Sequence, residues 1–198
     1  VNAGNLSIVS TTIAGNNVSA NGGGVAALDA VASLVVLNST VSGNTAVGDG
    51  GGVYSQNTPV ALSNSTVAFN TAGTGGGVGL LADDNGESLS LKNSIVAANT
   101  ATSAADFLAP LDVANDLDVV FSLVGDNDGT SLVASSFTGD QPMADGDGNL
   151  IGGGAGPLVD PGLESLADQG GTTQTHALLP SSFAVDAGDR TLLPQDTY

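Results

Sequence analysis

The sequence predicts an all-β protein, a right-handed parallel β-helix of about five coils followed by an irregular C-terminal segment. Three observations carry this prediction. A seven-residue motif recurs at intervals of 26 to 29 residues, a triple glycine and a valine follow each of its first three copies, and a short alternating stretch precedes its first four. Alternation of apolar and polar residues indicates strands, and units too small to bury their own apolar face must stack. Parallel crossovers favour the right-handed sense.

The motif predicts a polar ladder along one corner of the coils. Its copies read "STTIAGN", "NSTVSGN", "NSTVAFN", "NSIVAAN" and, more weakly, "FSLVGDN". Asparagine tolerates the left-handed backbone of a tight corner, and its amide can bond to the same amide one coil away. We therefore expect the final asparagines to form a ladder, namely Asn16, Asn44, Asn70, Asn99 and Asn127.

The apolar positions predict two columns of core side chains. In each coil one β-branched residue of the motif should point inward, and one valine after the triple glycine should do the same. The glycines at residues 22–24, 50–52 and 75–77 should bend the chain where a Cβ would clash. The predicted columns are Ile13, Val41, Val67 and Val96, and Val25, Val53 and Val78.

The repeat weakens after Asn99, which divides the chain into two parts. Residues 1–130 are expected to form the coils. Residues 131–198, punctuated by Gly, Asp and Pro, are expected to form an irregular segment packed on the solenoid within one structural unit. Because the chain begins inside the pattern, we expect it to be part of a longer protein.

Charge excludes two classes of partner. The chain has 2 Lys and Arg against 20 Asp and Glu, a formal net charge of −18. Nucleic acid and anionic lipid attract basic surfaces, so both are excluded. No apolar stretch is long enough for a membrane span, so direct membrane insertion is not expected either. Without cysteine, disulfides and thiolate metal sites are excluded as well.

Two acidic stretches suggest calcium as the only candidate cofactor. "DNDGT" and "DGDGN" alternate side-chain oxygens with glycine, as calcium loops do. The twelve-residue calcium pattern is incomplete, because the twelfth position from Asp145 is Gly156. An Asp/Gly turn is the competing interpretation. The candidate ligands are Asp126, Asp128, Asp145, Asp147 and Asn149.

No catalytic set emerges from the sequence. A polyuronide lyase needs cations and a base, and only Lys92 and Arg190 are available. His176, the single histidine, has no nucleophile in its local sequence, and a structural hydrogen bond is expected for it. We therefore predict that the chain is not an enzyme. Glycan hydrolysis by a carboxylate pair is the alternative, with Asp83 and Asp84, Asp112 and Asp116, or Asp126 and Asp128 as candidates.

Repeated hydroxyls allow two interpretations. Ser39 and Thr40, and again Ser65 and Thr66, form rows that an ice- or sugar-binding surface would use. Their spacing is irregular, and Ile95 replaces the threonine in the next coil. A solvated β surface is the favoured interpretation.

The stretch "DPGLESLADQGGTTQTHALLPSSFAVDAGD", residues 160–189, resembles the signature of the choice-of-anchor Q domain. Gln169 stands where that family usually has Asn, and Phe183 where it usually has Pro. The coils resemble the β-helix repeats of bacterial surface proteins that carry this domain. The matching positions are Asp160, Pro161, Leu163, Leu166, Asp168, Gly170, Gly171, Thr173, Thr175, Ala177, Leu178, Leu179, Pro180, Ser182, Ala184, Asp186, Ala187 and Gly188.

The resemblance implies a bacterial protein that is exported to the cell surface or the extracellular space, without established catalytic residues. Together with the repeat, it leads us to expect a non-catalytic structural or adhesive module. The exposed strand edges of the first coil would be covered either by preceding chain or by another copy, and end-to-end contacts between copies would give a filament. The alternative is a β-helix that binds or degrades polysaccharides, with extracellular glycans as partners.

Overall fold

The computed structural model describes residues 4–28, 31–81, 88–109 and 117–193. These residues form an all-β structure, a parallel β-solenoid of about five turns, as predicted. In the described chain the only helical element is one 3-10 turn, Arg190–Leu192. No helix among these residues has the length and apolar character that crossing a membrane requires. The right-handed sense of the coil stays a prediction.

The first sixteen strands belong to the coils before residue 130, and they are short because each coil turns several times. In chain order they are β1 Gly4–Val9, β2 Thr12–Ala14, β3 Asn17–Val18, β4 Val25–Ala27, β5 Val31–Leu37, β6 Thr40–Ser42, β7 Thr45–Ala46, β8 Val53–Gln56, β9 Val60–Ser63, β10 Thr66–Ala68, β11 Val78–Leu81, β12 Leu89–Lys92, β13 Ile95–Ala97, β14 Phe107–Leu108, β15 Leu117–Val120 and β16 Leu123–Val124. The remaining strands are β17 Phe137–Thr138, β18 Gln141–Pro142, β19 Leu150–Ile151, β20 Ala167–Asp168 and β21 Gln174–Thr175.

Three long parallel sheets run along the solenoid, each taking one strand from every coil it spans, and β3 and β7 form a short fourth one. The first sheet has the order β1-β5-β9-β12-β15, and the third has the order β4-β8-β11-β14. The second sheet, β2-β6-β10-β13-β16-β19, is the longest. Its last strand, β19, comes from the segment predicted to be irregular, so that segment contributes to the solenoid as well as packing on it.

The pairing registers place equivalent residues of successive coils side by side. Ile13 pairs with Val41, Val41 with Val67, and Val67 with Val96. Val25, Val53 and Val78 form a second row in the same way. Ile13 packs against the core from the first coil, where it is half-buried, and the other six are buried. The core is therefore a continuous stack that is aliphatic except for Phe107, which pairs with Val78, and this explains how the chain folds with 4% aromatic residues.

The C-terminal segment covers part of the outer face of the second sheet. Ala97, Leu123, Leu150 and Val159 form a second buried cluster, against which Phe183, Ala184 and Ala187 pack. Two antiparallel hairpins, β17–β18 and β20–β21, stabilise the segment locally. We call residues 160–193 the strap. The structure thus gives the segment after residue 130 a covering role.

The two ends of the solenoid differ. At the C-terminal end, Ser135 bonds to both backbone groups of Ile151 in the last strand of the second sheet: its N–H donates to Ile151 O at 2.8 Å and its Oγ accepts from Ile151 N at 2.9 Å. Leu132 packs there against the main core. Strands β14 and β15 also end their sheets there, each with a strand partner on one side only. At the other end, within the described residues, β1, β2 and β4 pair on one side only.

Candidate functional site

The most regular polar feature of the structure is a buried asparagine ladder. Asn44 Oδ1 accepts from the backbone N–H of Asn16 at 3.0 Å and from its Nδ2 at 2.9 Å. Asn70 accepts from Asn44 in the same way, and Asn99 accepts from Asn70. Asn44 and Asn70 are fully buried. Each amide oxygen therefore joins consecutive coils with two hydrogen bonds, and the buried polar atoms of the ladder have hydrogen-bond partners.

The triple glycines make room for this ladder. A Cβ on Gly52 would lie 2.7 Å from Gly77 O and 2.9 Å from Asn70 Nδ2. A Cβ on Gly24 would similarly lie 3.0 Å from Asn44 Nδ2. Only the first glycine of each triplet has a positive φ, for example +67° at Gly50. The second and third glycines are thus required by close packing of neighbouring coils. The predicted bend in the chain accounts only for the first glycine.

The ladder ends on a carboxylate. Asp106 Oδ1 accepts from Asn99 N at 3.1 Å and from Asn99 Nδ2 at 2.9 Å, and Oδ2 accepts from Asp126 N at 2.8 Å. Asp106 is 2% exposed. Desolvation raises its pKa from the ordinary 3.8 to about 6, although the bonds from Asn99 and Asp126 oppose that shift.

Two details of the predicted ladder need correction. Asn127 does not supply the fifth rung, because its Nδ2 donates to Leu132 O at 2.7 Å while Asp106 receives the bonds from Asn99. The left-handed residues are also not the ladder asparagines. Positive φ falls on the residue before each of them: Gly15, Gly43, Phe69 and Ala98.

A second ladder, made of hydroxyls, lies at another corner. Ser65 Oγ accepts from Ser39 N at 3.2 Å, Ser94 Oγ from Ser65 N at 3.1 Å, and Ser122 Oγ from Ser94 N at 3.2 Å. Ser39, Ser65 and Ser94 are 2–4% exposed, and so is Thr40. The interpretation of these rows as a solvated surface is therefore wrong. The recurring serine of the motif was the signal in the sequence, since an identical polar residue in every coil allows a ladder as well as a surface.

The strap holds the only histidine against the solenoid. His176 Nε2 lies 2.8 Å from Ser42 Oγ, and Nδ1 lies 2.6 Å from Glu164 O. Because a carbonyl oxygen can only accept, Nδ1 donates to Glu164 O, which leaves Nε2 to pair with the Ser42 hydroxyl. The Phe69 ring packs on the imidazole with centroids 5.0 Å apart.

An open groove of about 610 Å³ adjoins this pair, lined by Gly15, Phe69, Leu163 and Leu166 as well as Ser42 and His176. A serine within hydrogen-bond reach of an oriented histidine is the geometry of nucleophilic catalysis. Sequence reasoning missed the pair because 134 positions separate the two residues.

Other features of the groove do not fit acyl transfer. Ser42 is 3% exposed. The next two backbone N–H groups already donate, Gly43 N to Ala68 O at 3.3 Å and Asn44 N to Asn70 Oδ1 at 3.0 Å. They are consequently not available to stabilise an oxyanion. The pair as built acts as a clasp between the strap and the second sheet.

The carboxylates of three candidate calcium ligands, Asp126, Asp128 and Asp145, accept hydrogen bonds from backbone N–H groups. Asp145 Oδ1 accepts from Asp147 N at 2.9 Å and from Asn149 N at 2.8 Å. Asp126 Oδ1 accepts from Asp128 N at 3.1 Å, and Asp128 Oδ2 from Ala104 N at 3.1 Å.

Asn149 closes the serine ladder, its Oδ1 accepting from Ser122 N at 3.0 Å. In the described part of the chain no three Asp, Glu, His or Cys residues lie together as a metal site would need. The turn interpretation accounts for both loops.

The remaining candidate residues do not assemble into a catalytic centre within the described chain. Lys92 forms an ion pair with Asp118 at 3.2 Å on the surface of the first sheet. Arg190 lies in the 3-10 turn of the strap. The candidate pairs Asp83 with Asp84 and Asp112 with Asp116 lie outside the described residues.

The fold and these contacts define a parallel β-solenoid whose repeated polar residues hold one coil to the next. Comparisons with protein-family models, curated proteins and solved structures find no match to the chain.

Proposed function

We propose that the chain is a non-catalytic structural module of an exported bacterial protein, located at the cell surface or in the extracellular space and related to the choice-of-anchor Q proteins. The observation that carries this proposal is that the recurring polar residues form hydrogen bonds between coils. The asparagines and serines bond to neighbouring coils, so they serve cohesion of the solenoid. A repeat devoted to cohesion suits a spacer or scaffold.

The contacts within the strap support a structural role for the residues of the signature. Residues of the signature are bonded to one another: Asp160 Oδ1 accepts from Gly162 N at 2.8 Å, and Asp168 Oδ1 from Gly170 N at 2.8 Å. Ser182 Oγ donates to Pro161 O. The signature therefore describes a self-bonded covering element, which is a structural role and needs no catalytic residue.

The net charge of −18 favours solubility, which an exported module needs, and it is compatible with an extracellular location. A filament of copies joined end to end would need free strand edges at both ends. At the C-terminal end Ser135 already bonds to both backbone groups of Ile151, so a strand of another copy cannot extend the second sheet there, and the proposal is limited to the single molecule.

Location and inactivity are tested separately. Antibodies raised against the chain should label intact, unpermeabilised cells of the source organism or its culture fluid. A panel of polysaccharides and short-chain esters should show no turnover by the purified chain. The proposal is overturned if the protein is confined to the cytoplasm, or if turnover appears and disappears in Ser42→Ala and His176→Ala.

A glycan-binding module is the second candidate, and the groove beside Phe69 favours it. Phe69 is 43% exposed and presents an aromatic face next to His176, an arrangement on which a sugar ring can stack. A glycan array with the wild-type chain and Phe69→Ala, with and without calcium, tests this candidate. Binding that is lost in Phe69→Ala supports it, and a clean negative excludes it.

A further inference from the structure

The first coil presents an uncovered face at the amino end of the solenoid. Within the described residues, β1, β2 and β4 each lack a partner on their outer side. Leu6 is 37% exposed and Val9 48% exposed, whereas their register partners Leu34 and Leu37 belong to the next coil and Leu34 is fully buried. We call the outer side of residues 4–28 the first-coil face.

Inner coils show which bonds this face lacks. Asn44 Oδ1 receives two bonds from the coil before it, from Asn16 N and Asn16 Nδ2. Asn44 Nδ2 also donates back to Ile13 O of that coil at 3.0 Å. No described residue donates to Asn16 Oδ1. The ladder is therefore directional, and its first rung offers an acceptor to whatever lies in front of it.

The hydroxyl ladder has the same direction. Ser39 Oγ accepts from Thr11 N at 3.0 Å and donates to Leu37 O at 2.8 Å. Thr11 holds the equivalent position in the first coil, where its Oγ1 donates to Val9 O at 2.9 Å. No described residue donates to Thr11 Oγ1. Two corners of the first-coil face thus present acceptors that backbone N–H groups satisfy everywhere else in the solenoid.

Charge favours contact at this face. Residues 1–28 contain no Asp, Glu, Lys or Arg, and all 20 acidic residues lie beyond them. A second polypeptide surface can approach the first-coil face without burying a charge or meeting the like charges that dominate the rest of the molecule.

We propose that the first-coil face binds one more β-coil, which runs in the same direction, is supplied by polypeptide on the amino side of this chain, and carries an asparagine against Asn16. This inference deepens the proposed structural function, on which it rests. Such a coil delivers a backbone N–H and an amide N–H to Asn16 Oδ1, and a backbone N–H to Thr11 Oγ1.

A second copy of the chain does not meet these requirements. At its C-terminal end Ser135 already bonds to Ile151, and the asparagine ladder has ended on Asp106. At its amino end the backbone N–H of Asn16 and one Nδ2 hydrogen are already donated to Asn44 Oδ1. Neither end can give the pair of donors that an inner asparagine receives.

A tandem duplication tests the proposal. Residues 6–33 are repeated once ahead of Leu6, which keeps the 28-residue step between Asn16 and Asn44. The duplicated chain should show amide exchange at least tenfold slower in β1 and β2 than the wild-type chain. The matched control carries Asn16→Leu in the added coil only, and it should lose most of that gain around the original Asn16.

The remaining outcomes are also decisive. Unchanged exchange in β1 and β2, with β6 and β10 still protected, overturns the proposal. If the duplication disrupts β6 and β10 as well, a 28-residue peptide copying residues 6–33 is added to the wild-type chain, and failure to slow exchange at Thr11 and Asn16 overturns it instead. A wild-type chain that is dimeric by light scattering, with protection of β1 that rises with concentration, identifies a second copy as the occupant. The location and activity tests above are independent of these readouts.

Discussion

Asp106 accepts both the backbone N–H and the side-chain N–H of Asn99, the two bonds that each asparagine of the ladder otherwise gives to the asparagine of the next coil. An amide both accepts and donates, but an ionised carboxylate only accepts. A carboxylate can therefore accept the hydrogen bonds of the preceding asparagine, but it has no N–H to donate to a further rung. The ladder ends where the triple glycine is missing from the sequence, because Asp106 stands in register with Gly77.

Buried Asp106 makes stability depend on pH. Its pKa is raised to about 6 by desolvation, so between pH 3.8 and 6 the folded state binds a proton that the unfolded state has released. The contribution of Asp106 to stability is consequently largest below pH 3.8 and is lost as pH rises through about 6. The expected loss is on the order of 3 kcal/mol, measured by denaturant unfolding from pH 3.5 to 7.5.

The control for this pH dependence is Asp106→Asn. The amide keeps one oxygen for Asn99 but turns a donor toward Asp126 N, so the variant is less stable at low pH than the wild type. Its stability should fall less steeply between pH 4 and 7. Parallel pH curves for the two proteins would contradict the assignment, since the other 19 acidic residues are common to both.

Removing one rung should destabilise the whole solenoid. Asn70→Ala leaves Asn44 N without an acceptor and takes one bond from Asn44 Nδ2. It also removes the side-chain donor from Asn99 Oδ1, which keeps the backbone N–H of residue 70, and all these atoms are buried. The expected cost is about 3–5 kcal/mol in the free energy of unfolding. Asn127→Ala, which removes a single bond to Leu132 O, should cost about 1 kcal/mol. Equal costs would show that the ladder has no special role.

The third glycine of a triplet should not accept a methyl group. In Gly52→Ala the new Cβ would meet Gly77 O at 2.7 Å and Val67 Cγ1 at 2.8 Å, and the carbonyl belongs to a neighbouring backbone that cannot move away. We expect a loss of about 2 kcal/mol or more by denaturant unfolding. Gly146→Ala is the matched control, since its Cβ has open space and its φ is not positive, and it should change stability by less than about 0.5 kcal/mol.

The clasp between His176 and Ser42 should hold the strap and leave the coils unaffected. In His176→Ala the hydrogen bond and the ring contact with Phe69 are lost. Glu164 N donates to Ala177 O and Leu179 N to Gly162 O within the strap, and amide exchange at both should become roughly tenfold faster, while exchange in β6 and β10 stays unchanged. Thr172→Ala, at an exposed position of the same strap, should alter neither. Faster exchange throughout the coils would mean that the strap holds the solenoid together.

The fold could be predicted from the sequence because it depends on residues that recur at a regular spacing. Valines and glycines repeated at one spacing determine which residues stack, and Val41 and Val67 needed no knowledge of distant contacts. The recurring serine is equally a signal for a ladder, but hydroxyls are usually solvated, which favours a surface position for Ser39 and Ser65.

The contacts of Asp106 and His176 could not be predicted in this way. Asp106 stands where the motif has failed, so the sequence gives no register for its side chain. Ser42 and His176 meet only because the strap returns across the second sheet. Asn127 is a different case, because its motif is present but its side chain is not part of the ladder. The Asp106 carboxylate, which comes earlier in the chain, accepts the hydrogen bonds of Asn99 instead.

The scarcity of basic residues has a consequence for digestion by proteases. A protease that cuts after lysine or arginine has only Lys92 and Arg190 to recognise in 198 residues. Lys92 ends β12, which is hydrogen-bonded to β9 on one side and β15 on the other. Such an enzyme would have to extract a strand from the middle of a five-stranded sheet before its first cut in the coils. A molecule built this way resists trypsin-like digestion through both its composition and its architecture.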